Sequence, residues 1–253
     1  MEIRNPRTSE VHQLWTLWRE AFGDDGWVHL FESFAFSKDR CLCAFEGERV
    51  LSMLFWFDYT MDDQKVAYLY GIATKKEMQG KGICHALMRY AHSHLKSLKY
   101  QSAILVPSSE PLFPFYKKMG YQIATYADIV TCTPSGDTID LCEIAQKKYA
   151  EMRKEYLTSN SVIESDEALR LVAATDKFYA ANDCLFCGRI ENGQYITTEF
   201  FGNKSRCKEI VNHFQCKQGR FRIHDRKTPF SLYLPLTNKQ SAVPSYLGIA
   251  FEI

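Results

Sequence analysis

The residues best suited to chemistry run Tyr70-Gly71-Ile72-Ala73-Thr74-Lys75-Lys76-Glu77-Met78-Gln79-Gly80-Lys81-Gly82-Ile83-Cys84, which reads as a strand, a loop and a helix start. Gly80 and Gly82 let backbone approach a ligand closely, while the free N–H groups of the helix's first turn point outward with the positive end of its dipole. Together they form a cradle for a pyrophosphate. Such a terminus contributes only ~0.3–1 kcal/mol per nearby charge, up to ~2 when partly buried, so several amides must act together. A bare Gly-x-Gly reads equally well as a plain turn. Further on, Leu105-Val106-Pro107 leads into Phe115-Tyr116-Lys117-Lys118-Met119-Gly120-Tyr121, a strand end followed by a helix with an aromatic-Tyr pair.

Gln79-Gly80-Lys81-Gly82-Ile83-Cys84 resembles the Q/R-x-x-G-x-G/A loop of the GCN5-related N-acetyltransferases (GNAT), with Cys84 at a position usually held by Gly or Ala. The Phe115–Tyr121 stretch is similar to that family's second signature. Both motifs lie in the family's order, and the resemblance covers residues 2 to 127. It implies acetyl-CoA as cosubstrate, its pantetheine arm lying like an extra strand between Val66 to Thr74 and Ser102 to Val106. Backbone groups at Ile72 and Thr74 would hold the arm, and amides of Gln79, Gly80, Lys81, Gly82, Ile83 and Cys84 the pyrophosphate. Ser109 stands nearest to an Asn that family members often carry. The implied reaction is direct attack of an amine on the thioester, through a tetrahedral intermediate, with departure of CoA thiolate.

Tyr116 sits where the family's general acid usually sits; its bland reading is a core tyrosine. A phenol of pKa ~10 protonates a thiolate of pKa ~8.5 only with help from geometry, so stabilising the thiolate is an alternative role. A main-chain N–H near Ile72 would stabilise the oxyanion. Deprotonating an alkyl ammonium of pKa ~10.4 at pH 7 costs roughly 4.6 kcal/mol, so a base or water chain is expected. Glu110, Tyr68, Tyr70 and Glu252 are all open candidates. The terminal carboxylate of Ile253 is another, by likeness to tandem relatives active on aminoglycosides.

Hydrophobic spacing supplies the elements that must position these groups. Helices are expected from Thr8 to Phe22, Trp27 to Phe36 and Gly82 to Leu98, and a short one from Glu110 to Met119. Arg40 to Phe45, Val50 to Thr60 and Val66 to Thr74 read as meandering strands, followed by Ser102 to Val106 and Tyr121 to Tyr126. Beyond them, helices are expected at Ile139 to Tyr156, Glu167 to Ala181 and Lys204 to Phe214. A hairpin spans Cys184 to Phe201, turned by Asn192-Gly193. Strands near Arg220 to His224, Phe230 to Leu234 and Tyr246 to Ile253 close the chain. The expected fold is mixed α/β: a GNAT fold with a mostly antiparallel sheet flanked by helices over residues 1–135, and a smaller, degenerate GNAT-like unit over 136–253. Gly202 to Cys207 lacks Gly-x-Gly, so the second unit is expected to bind no CoA and to cover the acceptor side of the first.

The whole chain, 253 residues with 46% hydrophobic and 24% charged content, matches an ordinary globular protein. Its formal charge of +1 gives no global field for nucleic acid or an anionic membrane. No apolar run reaches the ~20 residues of a membrane span, and the N-terminus lacks a secretory pattern, so a cytoplasmic protein is expected. Nine cysteines without framework spacing suit free thiols. Cys184-x-x-Cys187, with Cys207, His213 and Cys216, is a weak zinc signal because strand alternation points the first pair to opposite faces; no metal is expected. Cys84 reads as a small packing residue rather than a nucleophile. The favoured activity is acetylation of a small-molecule or peptide amine. The alternatives are a non-catalytic acyl-CoA sensor and a purely structural protein, and oligomeric state leaves no mark.

Overall fold

The computed structural model describes residues 1–23, 26–224, 227–237 and 242–251. Strand β1 (Glu2–Arg4) is followed by helices α1 (Val11–Phe22) and α2 (Gly26–Phe34), then by the antiparallel meander β2 (Cys41–Glu46), β3 (Arg49–Met61) and β4 (Gln64–Thr74). The β3–β4 turn holds Asp62 and Asp63 at φ 46° and 61°, the left-handed pair of a tight hairpin, which Asp tolerates. Helix α3 (Ile83–Ser97) then crosses over to β5 (Ser102–Leu105), parallel to β4, and α4 (Leu112–Lys117) and β6 (Gln122–Tyr126) follow.

Strand β3 is apolar on both faces because both are covered. Leu54 and Trp56 pack with Leu87, Met88, Ala91 and Leu95 of α3, while Phe55 and Phe57 pack with Leu14, Trp15 and Trp18 of α1. Each fully buried leucine here contributes about 1.5–3 kcal/mol.

The rest of the chain comprises β7 (Asp128–Cys132), β8 (Cys142–Ile144), α5 (Gln146–Arg153), β9 (Ser161–Glu164), α6 (Asp166–Ala173), β10 (Lys177–Ala180), β11 (Cys184–Glu191), β12 (Gln194–Gly202), α7 (Cys207–His213), β13 (Gln218–Ile223), β14 (Pro229–Pro235) and β15 (Tyr246–Leu247). The first sheet has the order β1-β2-β3-β4-β5-β14-β6 with β9 and β15 attached, and the second β7-β13-β12-β11-β10-β8. The second repeats the first's scheme: an antiparallel meander, β10–β11–β12, then α7 and a parallel β13. The last strand of each set is exchanged, since β14 pairs antiparallel with β5 and β7 antiparallel with β13. A cut at 135/136 therefore leaves β7 on one side of it and the rest of its sheet on the other, and parts β14 from the first sheet.

The helix expected from Ile139 to Tyr156 is strand β8 followed by the shorter α5, because residues 142–144 pair with β10. The helix expected from Glu167 to Ala181 ends at Ala173, where the amides of Thr175 and Asp176 both close on the Val172 carbonyl. Residues 177–180 then form a strand, because cross-strand pairing with 185–188 overrides the helix propensity of the alanines. The inner faces of the two sheets share one core, and a buried group of Arg153, Glu164 and Glu199 sits within it. Arg153 lies 2.7 Å from Glu164 and 3.3 Å from Glu199, and the hydroxyls of Tyr149 and Tyr246 donate to Glu199 at 2.6 and 2.7 Å.

Candidate active site

The site begins with a break in the β3–β4 register. Phe55 pairs with Tyr70 and Met53 with Ala73, so Leu54 alone faces both Gly71 and Ile72. This is a β-bulge on β4, and only glycine suits its centre. Gly71 has φ 57°, and a Cβ there would lie 2.5 Å from Trp18 Cζ3 and 2.8 Å from Phe55 Cδ2. The bulge leaves Gly71 and Ile72 without one-to-one partners on β3. An isolated glycine within a strand pattern is the sequence signal for such a bulge.

On its other side β4 pairs with β5 only from Val66–Ser102 to Tyr68–Ile104, although β4 continues to Thr74. The two strands diverge beyond that point. A cleft of about 740 Å³ opens there, with Ile72 on the β4 wall, Ser109 and Glu110 on the loop after β5, and Tyr116 from α4. Phe22, Tyr70, Phe230 and Phe251 line its far side. Of these aromatic walls only Tyr70 figured among the candidates from sequence; Phe230 and Phe251 come from the other end of the chain.

Tyr116 is buried on its ring, packed edge-on at 5.9 Å against Tyr121. Burial, with the nearby Cys84 thiol adding to it, raises its phenol above the ordinary range, so it carries its proton at neutral pH. Burial likewise pushes the Cys84 thiol up to about 11, which fits a packing residue and not a thiolate nucleophile. Tyr70 is raised well above its usual value by burial and accepts a 2.6 Å hydrogen bond from the Trp27 indole. The Tyr68 hydroxyl donates to the Phe251 carbonyl at 3.3 Å.

Thr74 ends β4, its hydroxyl 2.8 Å from that of Ser52, and the Gln79 side chain donates to the Thr74 carbonyl at 3.2 Å. Gln79, Gly80, Lys81 and Gly82 then form an exposed loop that is not part of the cleft's lining. Gly80 and Gly82 have φ 74° and 78°, and a Cβ at either would meet nothing within 4 Å. Gly82 caps α3, whose first amides have no helical acceptor. Ile83 turns inward against Ala44 and Leu51. The structure thus brings Ile72, Ser109 and Tyr116 to one cleft, whose lining includes neither Thr74 nor residues 79–84. The candidate bases Glu252 and Ile253 lie outside the described residues.

A family model described as an acetyltransferase (GNAT) domain matches residues 2–124. Residues 2–124 are a GNAT acetyltransferase domain. The family assigns them, in general terms, to acyl transfer from acetyl-CoA. No curated protein matches the chain by sequence. Among solved structures it is similar to a GCN5-related N-acetyltransferase from Kribbella flavida, with TM-score 0.69 and 13% identity over 93% of this chain and 72% of that one. A GCN5-related N-acetyltransferase from Anabaena variabilis matches with TM-score 0.71 and 11% identity over 93% and 73%. One from Sphaerobacter thermophilus matches with TM-score 0.59 and 8% identity over 96% and 98%. These likenesses are of fold, and they extend well past the GNAT domain into the second sheet. Among the described residues no helix is long and apolar enough to cross a membrane, and no group of three or more His, Cys, Asp or Glu could hold a metal. Cys184 and Cys187 pack in different clusters on opposite faces of β11.

Proposed function

We propose that the chain transfers an acetyl group from acetyl-CoA to a primary amine by direct attack inside the β4–β5 cleft. The observation that carries this reading is the divergence of two parallel strands after Tyr68 and Ile104, beside a bulge at Gly71–Ile72. An open strand edge there can receive an extended amide-bearing arm by backbone hydrogen bonding. Acetyl-CoA supplies an activated thioester. Ile72 and Thr74 offer main-chain groups to the arm, Ser109 a hydroxyl across the cleft, and residues 79–84 an amide-rich loop for the diphosphate.

The Ile72 amide, aimed by the bulge, is the oxyanion donor in this reading; removing such a donor typically costs 10²–10³ in rate. Tyr116 acts as a hydrogen-bond donor to the departing thiolate. With a phenol raised above its usual value, full proton transfer to a thiolate of pKa ~8.5 is uphill, while donation of a hydrogen bond is not. The chain from residue 136 onward is read as a degenerate repeat that walls the acceptor side through Phe230 and Phe251.

The test is to add acetyl-CoA to the purified protein and follow melting and thiol release with a panel of amines. At a hundredfold excess over Kd, binding stabilises by ~2.7 kcal/mol, or about 5–11 °C for a chain of this size. Unchanged melting at millimolar acetyl-CoA, with no thiol released, would reject the reading.

A further inference from the structure

A second cavity, of about 440 Å³, lies beyond Phe251, whose side of the chain contributes to the walls of both this cavity and the cleft. The Phe251 ring meets Trp27 at 5.5 Å, and Trp27, which lines the second cavity, hydrogen-bonds Tyr70 of the cleft. One aromatic partition therefore separates the two spaces. Among the described residues, Arg189, Arg220, Arg222 and Glu191 are the charged side chains that line the second cavity.

The three cations are committed differently. Arg189 pairs with Asp176 at 3.2 Å and Glu191 at 2.9 Å. Arg222 donates to the carbonyls of Thr198 at 2.9 Å and Ala250 at 3.3 Å, and its guanidinium lies 5.2 Å from the Phe230 ring centroid. Arg220 is exposed, and among the described residues its guanidinium has no ion pair or hydrogen bond. A planar guanidinium at a cavity wall offers two parallel donors to a carboxylate or phosphate. Trp27, Ile129 and Val172 supply apolar surface for the ligand's body.

We infer that the acceptor amine carries an anionic group, a carboxylate or a phosphate, which docks on Arg220 in this cavity while the amine reaches past Phe251 into the cleft. The inference deepens the acetyltransferase reading and rests on it. It also disfavours polycationic amines, which would meet the guanidinium of Arg220 at the wall where the anion is to dock.

Equilibrium binding in the presence of CoA tests it with paired amines whose two ends are far enough apart to span the aromatic partition: 8-aminooctanoate against octylamine, 6-aminohexyl phosphate against 6-aminohexanol, and spermidine as the polycation. The anionic member of at least one pair binds tenfold or more tightly than its neutral partner, and which pair shows the preference tells carboxylate from phosphate. Arg220→Gln brings that ratio close to one, and Arg220→Lys keeps part of it; the acetyl-CoA melting shift on the same samples reports that each variant is folded. Ratios near one in the unmodified protein, a preference for spermidine, or a ratio unmoved in Arg220→Gln would overturn the inference while leaving the transferase reading intact. Absence of any acetyl-CoA shift would instead remove that reading, and the inference with it.

Discussion

Replacing Gly71 by alanine separates the bulge's structural cost from its catalytic use. The new Cβ would stand 2.5 Å from Trp18 Cζ3 and 2.8 Å from Phe55 Cδ2, inside a packed aromatic group that cannot yield easily. Left-handed backbone at a residue with a Cβ costs about 1–2 kcal/mol, and overpacking a filled core about 1–3. The sum, about 2–5 kcal/mol, lowers the melting temperature by roughly 4–20 °C for a chain of this size. If the strain is relieved by flattening the bulge, the Ile72 amide turns away and turnover falls by about 10²–10³ as well. Gly82→Ala is the control: φ is 78°, but nothing lies within 4 Å of the added carbon, so only the backbone cost of about 1–2 kcal/mol applies. Melting curves on both variants measure the packing cost, and thiol-release kinetics on Gly71→Ala the catalytic one. A Gly71→Ala protein as stable as the parent, or no less stable than Gly82→Ala, would refute the packing argument.

Tyr116→Phe removes one hydroxyl and leaves the ring contacts with Phe115 and Tyr121, so loss of that hydrogen-bond donor should lower kcat by about 10²–10³ with the melting temperature nearly unchanged; steady-state kinetics and a melt check both halves of this. Tyr246→Phe removes one donor from the buried Glu199 carboxylate, a bond of about 1.5–3 kcal/mol, and lowers melting by about 3–12 °C. The Arg4 hydrogen bond holds the Glu10 carboxyl down at about 2. Because the folded value is depressed below the unfolded one of ~4.3, its stabilisation is complete above that value and is lost as pH falls toward 2. Urea midpoints from pH 6 to pH 2.5 should therefore fall less steeply for Glu10→Gln than for the parent.

The first half of the fold was legible because its signals are local. The α3 stripe, the meander turns and the Gly80–Gly82 loop each follow from residues a few positions apart, and expected and observed bounds differ by little. The second half misled where long-range pairing decides. Residues 177–180 have alanines on both sides and read as helix, yet their partners at 185–188 make them a strand. The exchange of β7 and β14 leaves no trace in hydrophobic spacing, because antiparallel pairing with β13 or with β5 asks the same alternation of either strand. Of the cleft's lining, Tyr70, Ile72, Ser109, Glu110 and Tyr116 were candidates from sequence, but the aromatic wall of Phe230 and Phe251 was not, since it depends on where residues 246–251 are tied.

How that end is tied explains why two sheets serve one cleft. The backbone of residues 246–251 has little regular pairing beyond Tyr246 and Leu247 against β9, so its carbonyls need other donors. Tyr59 of the first sheet donates to the Ile249 carbonyl at 2.8 Å and Tyr68 to that of Phe251 at 3.3 Å, while Arg222 of the second sheet donates to that of Ala250 at 3.3 Å. Tyr246 adds its bond to Glu199, which Arg153 joins to Glu164. Each sheet thus fixes one side of the segment, and Phe251 is held between the cleft and the second cavity by donors from both. A shift of either sheet would move that ring. On the proposed reading, the first sheet sets where the thioester lies and the two sheets together set what can reach it. Substitutions on β12 and β13 should therefore change acceptor preference before they change acetyl-CoA binding.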